Sequence, residues 1–102
     1  MASLEITRNV ILYEISAIII KLFDKNPEEV KENSNLNTDL DLDSLDRIDI
    51  LSEMESKLGY EDGDLSFTKE EQEAFAKCTT VGELTDFFLE ICNDRGKRSI
   101  QV

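Results

Sequence analysis

Two short motifs constrain what this chain can fold into more than any other feature of it. Thr68-Lys69-Glu70-Glu71 and Thr80-Val81-Gly82-Glu83 each place a threonine three residues ahead of a glutamate. This is the capping-box arrangement: the hydroxyl takes the amide of the third helical residue, and the carboxylate reaches back to the cap's own amide. The first box predicts a short helix to about Lys77. The second predicts a helix to about Cys92, with Val81, Leu84, Phe87, Phe88 and Ile91 as its apolar set. Upstream, Ile11, Ile15, Ile18, Ile19, Leu22 and Phe23 recur at helical spacing and predict a helix over about residues 4–23. Asn26-Pro27-Glu28-Glu29-Val30 reads as a short helical turn that Asn26 can cap. A further helix is expected over about residues 44–58, with Asp43 as N-cap and Asp46 as a carboxylate in its first turn. Leu51, Met54 and Leu58 share one face of it, with Ile50 beside them, and Gly59 is a natural stop. No segment alternates with period two.

The expected fold is an all-α, four-helix bundle: three longer helices and one short helix, with long loops after the first and second. Leu36, Leu40 and Leu42 are the expected anchors of the first loop, residues 31–43; the second, residues 60–67, is rich in Asp and Gly. Residues 93–102 carry Arg95, Lys97 and Arg98 with Gly96 and little that could pack, so they are expected to be a flexible, basic tail. With 102 residues, one domain is expected, with a core over about residues 9–92.

Charge and composition narrow the function. There are 23 acidic residues against 11 basic ones, a formal net charge of -12. Such a field repels nucleic acid and anionic membranes and favours encounter with basic protein surfaces. The acids also cluster: Asp39, Asp41, Asp43, Asp46, Asp49, Glu53 and Glu55 are opposed within that segment only by Arg47. The chain has no histidine, which excludes a Ser-His-Asp or Cys-His mechanism within it. Cys78 and Cys92 have neither a metal-ligand spacing nor the look of a disulfide framework, and read as buried or half-buried thiols in a reducing compartment. Residues 1–8 do not resemble a signal peptide, and the runs Val10-Ile11-Leu12 and Ile18-Ile19-Ile20 are too short to span a bilayer. A cytoplasmic monomer is expected.

Ser44 stands out within the acidic segment. At the start of an amphipathic helix its hydroxyl is exposed, and the free N–H groups and positive dipole end beside it suit a covalently attached phosphate. Without a general base, Ser44 reads as a residue another enzyme modifies. The plainer reading of Asp43-Ser44 is a helix cap. Against that, Leu45 and Ile48 fall where a helix would expose them, next to Asp46 and Asp49. Asp39-x-Asp41-x-Asp43 supplies the first ligand positions of an EF-hand loop, but Ser44 and Ile50 stand where that loop needs glycine and glutamate.

Asp43-Ser44-Leu45-Asp46 resembles the Asp-Ser-Leu signature of acyl carrier proteins. Pro27-Glu28-Glu29-Val30 followed by Leu36, Asp39 and Leu40 resembles that family's first loop. Cys78-Thr79-Thr80-Val81-Gly82-Glu83-Leu84 with Asp86-Phe87 resembles its junction into the last helix. The likeness covers about residues 9–92. It implies that a phosphopantetheinyl transferase joins 4′-phosphopantetheine from coenzyme A to Ser44, and that the arm's thiol holds acyl groups as thioesters for fatty-acid, polyketide or lipid-type biosynthesis. It also implies that Asp43, Leu45, Asp46, Ile48, Asp49, Glu53 and Glu55 meet Arg and Lys on acyl-loading and acyl-processing partners. Leu51, Met54, Leu65, Phe67, Cys78 and Leu84 are candidates to line a cleft for the acyl chain, and equally candidates for plain core.

The chain departs from the family's pattern in four ways. Asp41 stands where glycine is common. Arg47 brings a cation to the recognition helix, and Ser56 and Lys57 replace common acids. Residues 65–80 are a few longer than usual. Both termini carry extra residues. These departures suggest a specialised carrier. Other readings of the same residues are an aminoacyl or D-alanyl carrier, and an unmodified acidic interaction or calcium-responsive module.

Overall fold

The computed structural model describes residues 3–60 and 67–101. In chain order the elements are β1 (Ser3–Glu5), α1 (Arg8–Phe23), a 3₁₀ turn (Pro27–Glu29), α2 (Ser44–Lys57), α3 (Lys69–Lys77), α4 (Val81–Asp94) and β2 (Ser99–Gln101). The helical bundle is as the periodicity predicts. Both threonine capping boxes are present, Thr68 with Glu71 and Thr80 with Glu83. Asp43 and Asp46 form a third, which the sequence suggests only as a cap with a nearby acid.

The core is filled by the apolar stripes that the sequence displays. Ile11, Ile15, Ile18 and Ile19 of α1 meet Ile50, Met54 and Leu58 from the α2 region and Val81, Leu84, Phe88 and Ile91 of α4, all buried. Leu22 closes the α1 stripe at the surface, 39% exposed. Phe67, Phe75, Phe87 and Phe88 stack edge-on or tilted with ring centroids 5.3 to 6.2 Å apart, which joins α3 to α4. Between α1 and α2 a buried carboxylate, Glu14, is neutralised by Lys57 at 3.3 Å.

Three boundaries differ from the sequence expectation. The first helix begins at Arg8, not near residue 4, because the Thr7 hydroxyl accepts the Val10 N–H at 3.2 Å and ends the extended segment. Asn26 makes no side-chain cap; its backbone carbonyl accepts the Glu29 N–H instead. The expected frayed tail is folded. β2 pairs antiparallel with β1, Leu4 opposite Ile100, and the Ile6 N–H donates to Arg98 O at 2.9 Å. Ile100 is fully buried, and Lys97 sits over the Tyr60 ring, 5.2 Å from its centroid. The pairing joins the two ends of the described chain. It has no local signal, since each strand is three residues long and its partner lies at the other end of the described residues.

The first loop is stitched to the segment between α3 and α4. The Leu36 N–H donates to Thr79 O at 2.8 Å, Val81 N–H to Ser34 O at 3.1 Å, and Gly82 N–H to Glu32 O at 2.8 Å. A side chain at position 82 would put its Cβ 3.1 Å from that Glu32 carbonyl, which gives the glycine a physical reason. Leu36, Leu40 and Leu42 are all buried, as expected of the loop's anchors. Arg8 straps the outside, paired with Glu32 and, at 2.7 Å, with Asp86.

Two outcomes follow from this packing. Ile100→Ala should lower unfolding stability by about 2–4 kcal/mol in urea titration, the range for emptying a buried aliphatic site; a frayed tail would give no change. Arg95 grips both oxygens of Glu71 at 2.9 and 3.0 Å, and with the Thr68 amide holds that carboxylate down from its ordinary 4.5 to about 2. A carboxyl held low in the folded state contributes stability above its unfolded value and loses it as the pH falls toward its folded value. The stability gap between wild type and Glu71→Gln, present near pH 6, should therefore close as the pH falls from 4.5 to about 2.

Candidate functional site

Ser44 is the first residue of α2, exposed, and its hydroxyl meets no hydrogen-bonding partner among the described residues. The geometry around it follows from the cap. Asp43 accepts the Asp46 N–H, and Asp46 accepts the Asp43 N–H, each at 3.0 Å. Arg47 N–H already donates to Asp43 O at 3.1 Å. Of the amides a helix start leaves over, those of Ser44 and Leu45 remain open. An exposed hydroxyl next to two open amides at the positive end of a helix dipole fits a phosphodiester.

The loop leading into Ser44 is rigidly built. Asn35 O accepts the amides of Asp39 and Leu40 at 3.1 Å, while Asp39 Oδ2 accepts the Asn35 amide at 2.8 Å. Asn35 Oδ1 takes the amides of Asn37 and Thr38. The turn is completed by Asp41 with φ +55°, in the left-handed region. That is why glycine suits this position, and why aspartate, with its short polar side chain, is among the tolerated exceptions. The Leu42 N–H then closes onto Leu36 O at 2.8 Å, one residue before the cap.

The same geometry disperses the carboxylates. Asp39 is bound to its own loop, Asp43 to the α2 cap, and no group of three metal-ligating side chains gathers among the described residues.

The surface of α2 divides as its periodicity suggests. Leu45 is 70% exposed and Ile48 53%, and Asp43, Asp49 and Glu53 are exposed around them; Asp46 is half-buried. Glu55 is a correction: it is only 5% exposed, on the flank of α2 that turns toward the bundle, and cannot belong to an outer docking face. Arg47 also differs from expectation. Its guanidinium is not on that face but reaches across to the end of α3, donating to Phe75 O and Ala76 O at 3.4 Å each. No local pattern signals this contact, because the acceptors are backbone carbonyls 28 and 29 residues away.

Of the residues considered for an acyl cleft, Met54, Cys78 and Leu84 are buried in the core, and Leu51 and Phe67 pack half-buried against it. Leu65 lies outside the described residues. A surface groove of about 220 Å³ lies elsewhere, between α3 and α4, over Ala74, Phe87 and Ile91. Both cysteines are free and buried. Burial pushes the Cys78 thiol up to about 11, with Glu83 adding to it, and burial pushes Cys92 to about 11. Neither is a thiolate at neutral pH.

Comparison with known proteins agrees with this geometry. Residues 14–88 match the family described as the phosphopantetheine attachment site. An acyl carrier protein of Wolinella succinogenes is 35% identical over 74 residues, covering 72% of this chain and 87% of the relative. Another, of Chlamydia muridarum, is 38% identical over 48 residues, covering 47% of this chain and 62% of the relative. Fold and match together define a phosphopantetheine-bearing carrier, a class that presents a group to enzymes and is not itself one. The chain belongs to the acyl carrier protein family.

The loop geometry carries its own test. Asp41→Gly should leave stability unchanged or raise it by up to about 1 kcal/mol, and Asp41→Val should lower it by about 1–2 kcal/mol, since a β-branched residue is strained at positive φ. Urea titration of the two variants reads the difference; equal stability would mean the turn can relax.

Proposed function

We propose that Ser44 carries the phosphopantetheine arm, and that the chain is a specialised acyl carrier for fatty-acid, polyketide or lipid-type biosynthesis in the cytoplasm. The observation that supports the site most is an exposed, unpartnered hydroxyl at the start of α2, beside the open amides of Ser44 and Leu45. When bound, the arm supplies a terminal thiol that holds the acyl group as a thioester. The chain's own residues supply the rest. The cap of Asp43 and Asp46 holds the first turn of α2 in shape, and the pinned loop keeps the serine at one place on the surface. With no histidine in the chain, the proton of the Ser44 hydroxyl leaves through groups of the transferase.

The docking face proposed for that transferase and for acyl-loading and acyl-processing enzymes is Asp43, Leu45, Asp46, Ile48, Asp49 and Glu53. Two exposed apolar side chains ringed by carboxylates suit a basic surface with an apolar centre, the charges steering the encounter and Leu45 and Ile48 giving the contact area. The specialised reading rests on the sequence departures: Asp41, Arg47, Ser56 and Lys57, the longer segment of residues 65–80 and the extra residues at both ends. Among the described residues no helix is long and apolar enough to cross a membrane.

Intact-protein mass spectrometry tests the site. Incubated with coenzyme A, Mg²⁺ and a promiscuous phosphopantetheinyl transferase, the wild type should gain the mass of one phosphopantetheine and Ser44→Ala none. Ser44→Ala should change stability by less than about 0.5 kcal/mol, since the cap is Asp43 and the lost hydroxyl is exposed. A folded wild type that gains nothing would overturn the assignment.

A further inference from the structure

Arg47 is held in an unusual way. It lies in the first turns of a helix whose N-terminal half is rich in aspartate, yet it pairs with no carboxylate among the described residues, whereas Arg8, Lys57 and Arg95 each do. The nearest acids on its own turn, Asp43 and Asp46, are occupied with each other's amides in the capping box. What Arg47 has instead are two carbonyl acceptors at the end of α3, both at 3.4 Å, the long end of the hydrogen-bonding range. Its side chain is half-buried, so its charge is partly stripped of water without a counter-charge to answer it.

Arg47 is also three residues after Ser44, so the two are neighbours on the helix surface. The guanidinium now reaches to the end of α3, but helical side chains lean toward the N-terminus, the direction in which Ser44 lies, so a change of rotamer is the movement a pairing there needs. A phosphodiester oxygen is a charged acceptor. It forms shorter, stronger bonds with a guanidinium than a neutral carbonyl does, and its paired oxygens match the guanidinium fork. We propose that Arg47 is the protein's binding residue for the phosphodiester of the arm, exchanging its long bonds to Phe75 O and Ala76 O for a charge-assisted pair at Ser44. This rests on Ser44 as the attachment site. Arg47 then offsets the cost of adding a further negative charge among Asp41, Asp43, Asp46 and Asp49.

The test is a cycle of four proteins, wild type and Arg47→Gln, each with and without the arm, the load on Ser44 verified by mass spectrometry before unfolding in urea. A merely structural Arg47 would change the bare and loaded forms alike. A phosphate-binding Arg47 makes the loaded-to-bare ratio of unfolding constants about two- to fivefold more favourable in wild type than in Arg47→Gln, the size expected of a partly exposed ion pair. Should Arg47→Gln fail to fold, Arg47→Lys takes its place; it keeps the charge without the fork and should show a smaller advantage of wild type. Equal ratios with a fully loaded Ser44 overturn the role of Arg47 and leave the attachment site standing. A wild type that never acquires the arm on Ser44 overturns both.

Discussion

The backbone ladder between the first loop and the α3–α4 junction is the constraint on which the rest of this structure depends. A loop of more than a dozen residues has no helix of its own to satisfy its amides, and left alone it would wander. Here Leu36, Val81 and Gly82 amides and the carbonyls of Thr79, Ser34 and Glu32 pair across two distant segments. Leu36, Leu40 and Leu42 are buried as a consequence. Their burial sets the point at which the chain enters α2, and so fixes where Ser44 is presented. Arg8, gripping Glu32 and Asp86, closes the same joint from outside.

From that joint the division of labour on α2 follows. One side of the helix packs Ile50 and Met54 into the bundle, and the opposite side leaves Leu45 and Ile48 open to solvent among carboxylates. The two faces cannot be exchanged, because the cap at Asp43 and the buried Leu42 set the helix rotation. An exposed hydroxyl at the first turn of α2, rather than a buried pocket, suits the attachment proposed for Ser44, since a modifying enzyme can reach it directly. Cys78 and Cys92 are both buried, so neither presents a second thiol beside that surface.

Three basic residues, Lys57, Arg95 and Arg47, hold the fold together rather than neutralise the docking face. Lys57 answers a buried carboxylate of α1, Arg95 ties the end of α4 to the start of α3, and Arg47 spans from α2 to the end of α3. The exposed part of α2 is therefore left almost purely negative. A count of charges along the segment treats Arg47 as an interruption of that field; its direction in the folded chain removes the interruption.

Much of this was legible in the sequence alone, and the legible parts share a physical cause. Helices, caps and the place of Ser44 at a helix start depend on residues within four positions of each other, so spacing is enough to read them. Thr68 with Glu71 and Thr80 with Glu83 are of that kind. Only the tertiary structure could decide the pairing of β1 with β2 that buries Ile100, the inward turn of Glu55 and the reach of Arg47 to Phe75 and Ala76. Each depends on a partner tens of residues away, or on how the helix is rotated against its neighbours, and no local pattern encodes either until the bundle has closed.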